Sequence, residues 1–176
     1  GYHATSLDDV AASLGVTKPT IYRYLGNKEA VIFECLRRGL DELNAAAALA
    51  RRQEGRSIER LRMFLCHYAH INMNDFGRCT IRTGEEYLGE ESAAQIRAMK
   101  RQVDATLREL IAGGIADGDL RPVNVTYAAF ALAGALNWPA RWFDPAGADT
   151  PENVADALID ILLNGLREHH GGEPLE

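Results

Sequence analysis

Cysteine is scarce in this chain, and long apolar segments are missing. Cys35, Cys66 and Cys79 are odd in number and show no CxxC spacing, so the sequence indicates neither a disulfide framework nor a zinc site. No apolar run approaches the roughly 18 residues that a membrane-spanning helix needs, and no signal peptide is recognisable. We therefore expect reduced thiols in a cytoplasmic protein that does not enter a membrane.

The sequence signatures of common enzymes are also lacking, because the chain contains no GxSxG, P-loop or GxGxxG motif. His67 and His70 have a spacing that a metal pair could use, but no carboxylate joins them at helical spacing. Glu86 and Glu90 could suggest a di-iron site, but the Glu-x-x-His pairs that such a site needs do not occur. We therefore predict no enzymatic activity, no metal site and no cofactor.

Positive charge is in short supply as well, since the formal net charge is −6. The deficit is uneven: residues 1–56 carry eight basic and seven acidic side chains, whereas the rest of the chain carries eleven and eighteen. DNA affinity depends on the local field at the contact surface. The acidic total is therefore compatible with DNA binding by the N-terminal segment, although it does not argue for it.

Helical periodicity runs through the whole chain, with no convincing alternation of the β type. Capping residues such as Thr17 and Asn124 mark helix starts, and glycines such as Gly15 and Gly26 mark helix ends. We therefore predict an all-α fold. The predicted helices cover residues 7–14, 18–25, 28 to about 50, a segment from 58 onward, 92 to about 117, 124–143 and 151 to about 167.

Residues 7–25 combine an eight-residue helix, a turn at Gly15-Val16-Thr17 and a second short helix. These lengths and this turn chemistry are typical of a helix-turn-helix, whose second helix enters the major groove of DNA. Such a helix must be short, polar at its N-terminus and free of large apolar residues on its exposed side. The residues that meet this requirement are Lys18, Thr20, Arg23 and Tyr24. An ordinary pair of packed helices has the same general pattern and is the structural alternative.

The detailed residues are more specific than the general motif. The stretches Thr5 to Ala11, Leu14 to Leu25 and Asn27 to Val31 resemble the DNA-binding domain of the TetR family of regulators. Gly1-Tyr2 resembles the end of that family's first helix, so we expect most of that helix to be missing from the chain. The resemblance implies that these residues contact DNA: Thr17, Lys18, Pro19, Thr20, Tyr22, Arg23, Tyr24 and Lys28. As alternatives, Tyr22 could belong to the core and Lys28 could be an ordinary solvated charge.

The polar segment Arg51 to Ser57, which contains Gly55, is the predicted domain boundary. We expect residues 1–50 to form the helix-turn-helix domain with a connecting helix. Residues 51–170 would form a larger helical domain for ligand binding and dimerisation, and residues 171–176 a disordered tail.

The last two predicted helices are apolar around much of their circumference, so each needs a core on one side and a partner on the other. Gly134 and the many alanines would allow backbones to approach closely. The arrangement resembles the family's four-helix dimer interface, and a thick monomer core is the alternative. The predicted dimerisation residues are Ala128, Ala131, Leu132, Ala135, Leu158, Ile161 and Leu162. A homodimer could present two recognition helices to a palindromic site.

The segment Asn137 to Pro145 is the second distinctive feature, because Trp138, Trp142 and Phe143 are expected to cluster around Arg141. Pro139 should kink the helix. The stretch is similar to an Asn-Trp…Arg-Trp-aromatic signature of TetR-type regulators of fatty-acid or steroid catabolism, which respond to acyl-CoA thioesters, although Pro139 departs from that signature. The predicted ligand-binding residues are Phe64, His67, Tyr68, Ile71, Arg78, Arg82, Asn137, Trp138, Arg141 and Trp142. Core packing for Trp142 and solvation for Arg78 and Arg82 are the alternatives.

The sequence therefore predicts a transcriptional regulator, most simply a repressor, that binds a palindromic operator in double-stranded DNA as a homodimer. A small hydrophobic or acyl-CoA-like effector in the C-terminal domain would release it. The alternative is a helical small-molecule-binding protein or scaffold that does not read DNA. The two differ in salt dependence, since phosphate contacts make DNA affinity fall steeply with salt concentration.

Overall fold

The computed structural model describes Thr17, Pro19 and residues 28–165, and every regular element in that part of the chain is a helix. The all-α prediction is confirmed for those residues. The elements are α1 (Lys28–Arg52), α2 (Ser57–Met73), α3 (Asp75–Arg82), a 3-10 helix (Glu85–Tyr87), α4 (Glu90–Ala116), α5 (Val125–Asn137), α6 (Pro139–Trp142) and α7 (Pro151–Asn164). Apart from Thr17 and Pro19, the predicted helix pair at residues 7–25 lies outside the described residues, as does the predicted tail.

Side-chain caps start α5 and α7 where the sequence predicts these two helices to begin. The Asn124 side-chain oxygen accepts a hydrogen bond from the Tyr127 amide over 3.2 Å at the start of α5. The Thr150 hydroxyl does the same for the Asn153 amide, also over 3.2 Å, at the start of α7. These bonds satisfy backbone donors that have no partner inside the helix.

Several predicted boundaries differ from the structure by two or three residues, including the end of α7, which lies at Asn164 rather than near residue 167. The long helix predicted from Ser92 begins at Glu90, after an extended Gly89. Helix α1 continues to Arg52 rather than ending near Ala50. The polar connection to α2 is therefore only residues 53–56, and Ser57 is already a buried helical residue.

Pro139 divides the helix that the sequence predicts from Asn124 to Phe143. Helix α5 ends at Asn137, and the single turn of α6 starts at Pro139. Because proline has no backbone N–H and its ring crowds the preceding turn, a regular helix cannot continue through it. The predicted kink is confirmed.

Helix α2 lies at the centre of the fold and contacts each of the other six α-helices. Each large apolar side chain in the core stabilises the fold by about 1.5–3 kcal/mol relative to its exposed state. The largest fully buried apolar residues are Val31, Leu36, Leu61, Phe64, Leu65, Ile96, Leu107, Ile111, Leu136 and Ile159.

Helices α1 and α3 approach each other closely at Gly39. A Cβ atom at this position would lie 2.8 Å from the Phe76 carbonyl oxygen, so only glycine permits this spacing. Next to the contact, Val31, Cys35 and Cys79 form a small buried cluster with Phe76 packed against it. The connecting helix α1 is thereby fixed against the C-terminal helices. None of the helices in the described ranges has the length and apolar character to cross a membrane.

Candidate functional site

Most of the predicted DNA contacts fall outside the described residues, namely Lys18, Thr20, Tyr22, Arg23 and Tyr24. Thr17 and Pro19 are both exposed, and Pro19 has helical backbone geometry. Lys28 is the first residue of α1. The DNA-contacting roles therefore stay predictions.

The start of α1 is bonded to the start of α4. One Glu29 carboxylate oxygen accepts hydrogen bonds from the Gly89 amide over 2.8 Å and from the Ser92 hydroxyl over 3.1 Å. Gly89 has no side chain with which to cap α4, so Glu29 supplies both the acceptor and a negative charge at the positive end of the helix dipole. The contact joins the residue next to Lys28 to the longest helix of the C-terminal domain.

Tyr68 and Asn137, two predicted ligand-binding residues, meet in a buried polar group. The Tyr68 hydroxyl donates to the Asn137 side-chain oxygen over 2.8 Å, and the Asn72 side-chain nitrogen donates to the same oxygen over 2.9 Å. Burial raises the pKa of the Tyr68 hydroxyl, and its hydrogen bonds with Asn72 and Asn137 offset this only in part. Tyr68 is therefore a neutral donor.

Asn72 is a member of this group that the sequence analysis missed. It lies one turn after Tyr68 on α2, and its side-chain nitrogen also approaches the Leu136 carbonyl oxygen at 3.4 Å. The available signal was its place at i+4 from Tyr68, on the helix face that also carries the buried Leu61 and Leu65. We call Tyr68, Asn72 and Asn137 the polar triad.

The other predicted residues of α2 divide between core and surface. Phe64 is fully buried and packs edge-on to Tyr68, with ring centroids 5.9 Å apart, and Ile71 is also buried. His67 is exposed, and its ring nitrogen lies 2.9 Å from the Met63 carbonyl of its own helix, so it is not part of the buried group. No three His, Cys, Asp or Glu side chains within the described ranges could hold a metal ion together.

Three arginines meet where α3 contacts α6. The Arg82 guanidinium donates to the Arg141 carbonyl oxygen over 3.2 Å. Burial lowers the pKa of Arg82, and the positive charges of Arg78 and Arg141 lower it further. None of the three forms an ion pair with a carboxylate of residues 28–165. A cluster of like charges without an anionic partner is chemically suited to bind an anion.

The aromatic residues around Pro139 do not form the predicted cluster. Phe143 is buried in the core, whereas Trp138 and Trp142 are 62% and 48% exposed. The turn of α6 directs Phe143 inward because its backbone leaves the helix at that residue. The alternative that Trp142 is a core residue is also wrong, since half of it faces solvent.

Helix α5 exposes a continuous apolar stripe at spacings of three and four residues. Its large members, Tyr127 and Phe130, are 72% and 60% exposed, and a Cβ atom added to Gly134 would meet nothing within 4 Å. Together with the exposed Ile161 of α7, we call these residues the apolar face: Tyr127, Phe130, Ala131, Gly134 and Ile161.

The predicted dimerisation residues overlap this face only in part. Ala131 and Ile161 are exposed, whereas Ala128, Ala135, Leu158 and Leu162 are half-buried. Leu132 is only 7% exposed and packs into the core of its own chain. Tyr127 and Phe130 are not among the predicted dimerisation residues, although both lie at helical spacing from Gly134 in the sequence.

The comparisons with known proteins agree with this fold. A family model described as bacterial regulatory proteins of the tetR family matches residues 1–35. A second model, a tetracyclin repressor-like C-terminal domain, matches residues 54–166. The HTH-type transcriptional repressor KstR2 of Rhodococcus jostii is 26% identical over 178 residues, which cover 97% of this chain and 85% of KstR2.

Solved structures agree as well. The TetR family regulator PfmR of Thermus thermophilus superposes with a TM-score of 0.79 at 32% identity, over 95% of this chain and 92% of PfmR. The structure of AibR in complex with isovaleryl coenzyme A and operator DNA superposes with a TM-score of 0.71 at 29% identity, over 93% and 89% of the two chains. The predicted fold class, a helix-turn-helix domain followed by a helical C-terminal domain, is confirmed. Because the C-terminal model alone matches more than half of the residues, this chain belongs to the TetR family of DNA-binding transcriptional regulators, which are not enzymes.

Proposed function

We propose that this regulator binds a palindromic operator as a homodimer in the cytoplasm and is released by a small hydrophobic or acyl-CoA-like effector. The observation that carries the effector class is the arginine cluster, Arg78, Arg82 and Arg141, beside the exposed Trp138 and Trp142. A CoA thioester combines an anionic phosphate head with an apolar chain. The two exposed indole rings match the apolar chain, and the three guanidinium groups, which form no ion pair with residues 28–165, match the phosphates.

The relatives support the same class of effector and the same direction of control. AibR was solved with isovaleryl coenzyme A and operator DNA together, and KstR2 is a repressor. In our proposal the acyl part lies toward Tyr68 and Asn137, with Phe64 and Ile71 forming the apolar wall behind them. Arg141 and its two neighbours on α3 bind the phosphates.

The apolar face supports a homodimer. An exposed stripe containing two large aromatic side chains is unfavourable in water, and such patches mark interaction surfaces. Gly134 leaves open space in the middle of the stripe, so a partner helix could approach closely. The proposed interface packs α5 and α7 of one chain against the same helices of a second copy, in the four-helix arrangement that the family resemblance implies.

Helix α1 supports transmission of the signal. It runs without a break from Lys28 to Arg52, and it packs against α2, α3 and α4. An effector that prefers one position of α3 would shift the start of α1, and with it the separation of the two DNA-reading units. Coupling between such sites is typically about 1–3 kcal/mol, and it requires different effector affinities for the two states.

A fluorescence anisotropy titration tests the proposal. An operator is first selected from a random duplex pool, and CoA thioesters from isovaleryl to palmitoyl are then added to the complex. We expect one chain-length range to release the DNA, and log K to fall linearly with log salt at about −0.9 per phosphate contacted. The absence of release by any thioester would reject the effector class. Weak, salt-insensitive DNA binding would favour a helical ligand-binding protein that does not read DNA.

A matched pair of arginine variants tests the phosphate site. Arg141→Ala should weaken binding of the most effective thioester about tenfold, because a charge-assisted hydrogen bond is lost. Arg101→Ala removes the same charge from an exposed position on α4 and should have no effect. Equal losses in the two variants would mean that only net charge matters.

A further inference from the structure

Asn72 carries a buried acceptor without a partner. The residue is completely enclosed, with 0% of its surface exposed. Its side-chain nitrogen donates to Asn137 and approaches the Leu136 carbonyl, whereas its side-chain oxygen, Oδ1, has no hydrogen-bond partner. Buried polar atoms are almost always paired, so an orphan of this kind requires an explanation.

The orientation of the Asn72 amide follows from its neighbours. A backbone carbonyl can only accept, so the atom that faces Leu136 must be the donating nitrogen. Rotating the amide by half a turn would bring two carbonyl oxygens together at Leu136 and would leave that carbonyl without its donor. Leu136 belongs to the last turn of α5, whose carbonyls lack partners inside the helix because the helix ends at Asn137. The oxygen is therefore fixed on the unpaired side.

The two buried members of the polar triad have no free donor. Tyr68 gives its only proton to Asn137. Asn72 directs its N–H groups toward Asn137 and Leu136. An incoming group that can only accept, such as a carboxylate or a thioester carbonyl, therefore finds no free donor on Tyr68 or Asn72. A group that donates finds Asn72 Oδ1.

We propose that Asn72 Oδ1 accepts a hydrogen bond from the effector, which must therefore carry a hydroxyl or amide N–H donor at this end of the domain. The inference rests on the proposed function and adds a requirement on the chemistry of the effector. The polar triad leads inward from the half-exposed Asn137, which directly precedes the exposed Trp138. In the proposed complex, a donor enters beside Trp138 and approaches Asn72 from the side of Asn137. The donor could be a hydroxyl on the acyl chain or an amide N–H of the pantetheine arm.

Isothermal titration with four probes distinguishes these sources: decanoyl-CoA, 3-hydroxydecanoyl-CoA, decanoate and 3-hydroxydecanoate. The test variant is Asn72→Leu, which has a similar volume and no acceptor. The control is Asn44→Leu, which also removes an amide that donates to backbone carbonyls, those of Leu40 and Met99, at a half-buried site on α1. Thermal unfolding of each variant separates lost stability from lost recognition.

Two results support the inference. If the hydroxyl is the donor, the wild-type chain prefers the hydroxylated member of each pair about tenfold or more, and Asn72→Leu loses this preference. If the pantetheine amide is the donor, Asn72→Leu weakens both thioesters about tenfold and leaves the free acids unchanged. In both cases Asn44→Leu binds the probes as the wild type does.

Other results overturn it. Asn72 has only a structural role if Asn72→Leu binds every probe within twofold of the wild-type affinity. The same conclusion follows if Asn44→Leu loses as much probe affinity as Asn72→Leu. A high-resolution crystal structure with an ordered water donating to Oδ1 in both the free and the probe-bound chain would also lead to this conclusion. If no probe binds the wild-type chain, the proposed effector class fails and this inference fails with it.

Discussion

Helices α4 and α5 both bury one face and expose another, but their exposed faces differ in chemistry. On α4, Arg97 pairs with Glu90 over 2.5 Å, and Lys100 pairs with Glu85 over 2.8 Å. On α5, the exposed positions include Tyr127 and Phe130. The exposed face of α4 is solvated and paired within its own chain, whereas that of α5 leaves two large aromatic side chains in water.

The contrast shows which part of the exposed surface carries information about function. Exposed ion pairs contribute little to stability, and water solvates them well. The exposure of large aromatic rings to water is unfavourable, and the free energy falls when a second surface covers them. Substitutions on the α5 face should therefore change assembly and DNA binding, and equivalent ones on α4 should not.

The largest expected effect comes from a charge on the apolar face. Phe130→Glu should convert the proposed homodimer into a monomer, with a loss of dimer affinity of about 100-fold or more, because central aromatic residues dominate interfaces. The monomer should stay folded, since Arg108 lies 5.3 Å from the Phe130 ring and can pair with the new carboxylate. Sedimentation velocity measures the change, and circular dichroism checks the fold.

The matched control is Gln102→Glu, which adds the same charge to an exposed position on α4. It should leave the dimer intact. Operator affinity should fall with dimer affinity in Phe130→Glu, because one recognition helix reads only half of a palindromic site. If Phe130→Glu sediments at the same rate as the wild-type chain, the exposed face of α5 does not form the dimer interface.

The sequence was informative where local chemistry decides the structure. Caps at Asn124 and Thr150 and the break at Pro139 follow from the residues themselves, and the family pattern specified the order of the two domains. The start of α4 was less predictable. Glu29 caps it from 60 residues away in the chain, and no local rule includes such a partner.

The candidate site was predictable as a region but not as a set of contacts. Tyr68 and Asn137 were expected near the ligand, but the third member of the triad, Asn72, depends on how α2 and α5 cross. Leu132 was assigned to the dimer interface because α5 is apolar on several sides, and a sequence cannot tell which apolar side faces the chain's own core.

An intermediate effect is expected at Glu29, the contact between the start of α1 and the exposed start of α4. The quantity to compare is the operator affinity without the most effective thioester divided by the operator affinity with it. Glu29→Ala should reduce this ratio by about threefold or more, because residues between coupled sites typically change coupling by about 0.5–2 kcal/mol. The ratio is the relevant quantity, since a lost negative charge beside Lys28 raises DNA affinity by itself. Anisotropy titrations give both affinities.

Two comparison variants separate charge from contact. Glu54→Ala removes the same charge from the exposed connection between α1 and α2 and should leave the ratio unchanged. Glu29→Gln keeps an acceptor for the Gly89 amide and should give an intermediate ratio. A normal ratio in Glu29→Ala would mean that the signal reaches the DNA-binding domain by another contact.

The smallest effect is expected on the charged face of α4. Arg97→Ala breaks pairs with Glu85 and Glu90, yet its side chain is 40% and that of Glu90 87% exposed. We expect a loss of unfolding free energy of about 0.5 kcal/mol or less, against about 2–5 kcal/mol for Leu107→Ala on the buried face of the same helix. Urea denaturation measures both.

High salt separates the two helices further. It should remove the small difference in unfolding free energy between Arg97→Ala and the wild-type chain by screening the charges, whereas it should leave the proposed apolar dimer interface intact. A loss in Arg97→Ala that exceeds about 1 kcal/mol and persists in high salt would show that the α4 face packs against something, and the distinction between the two helices would fail.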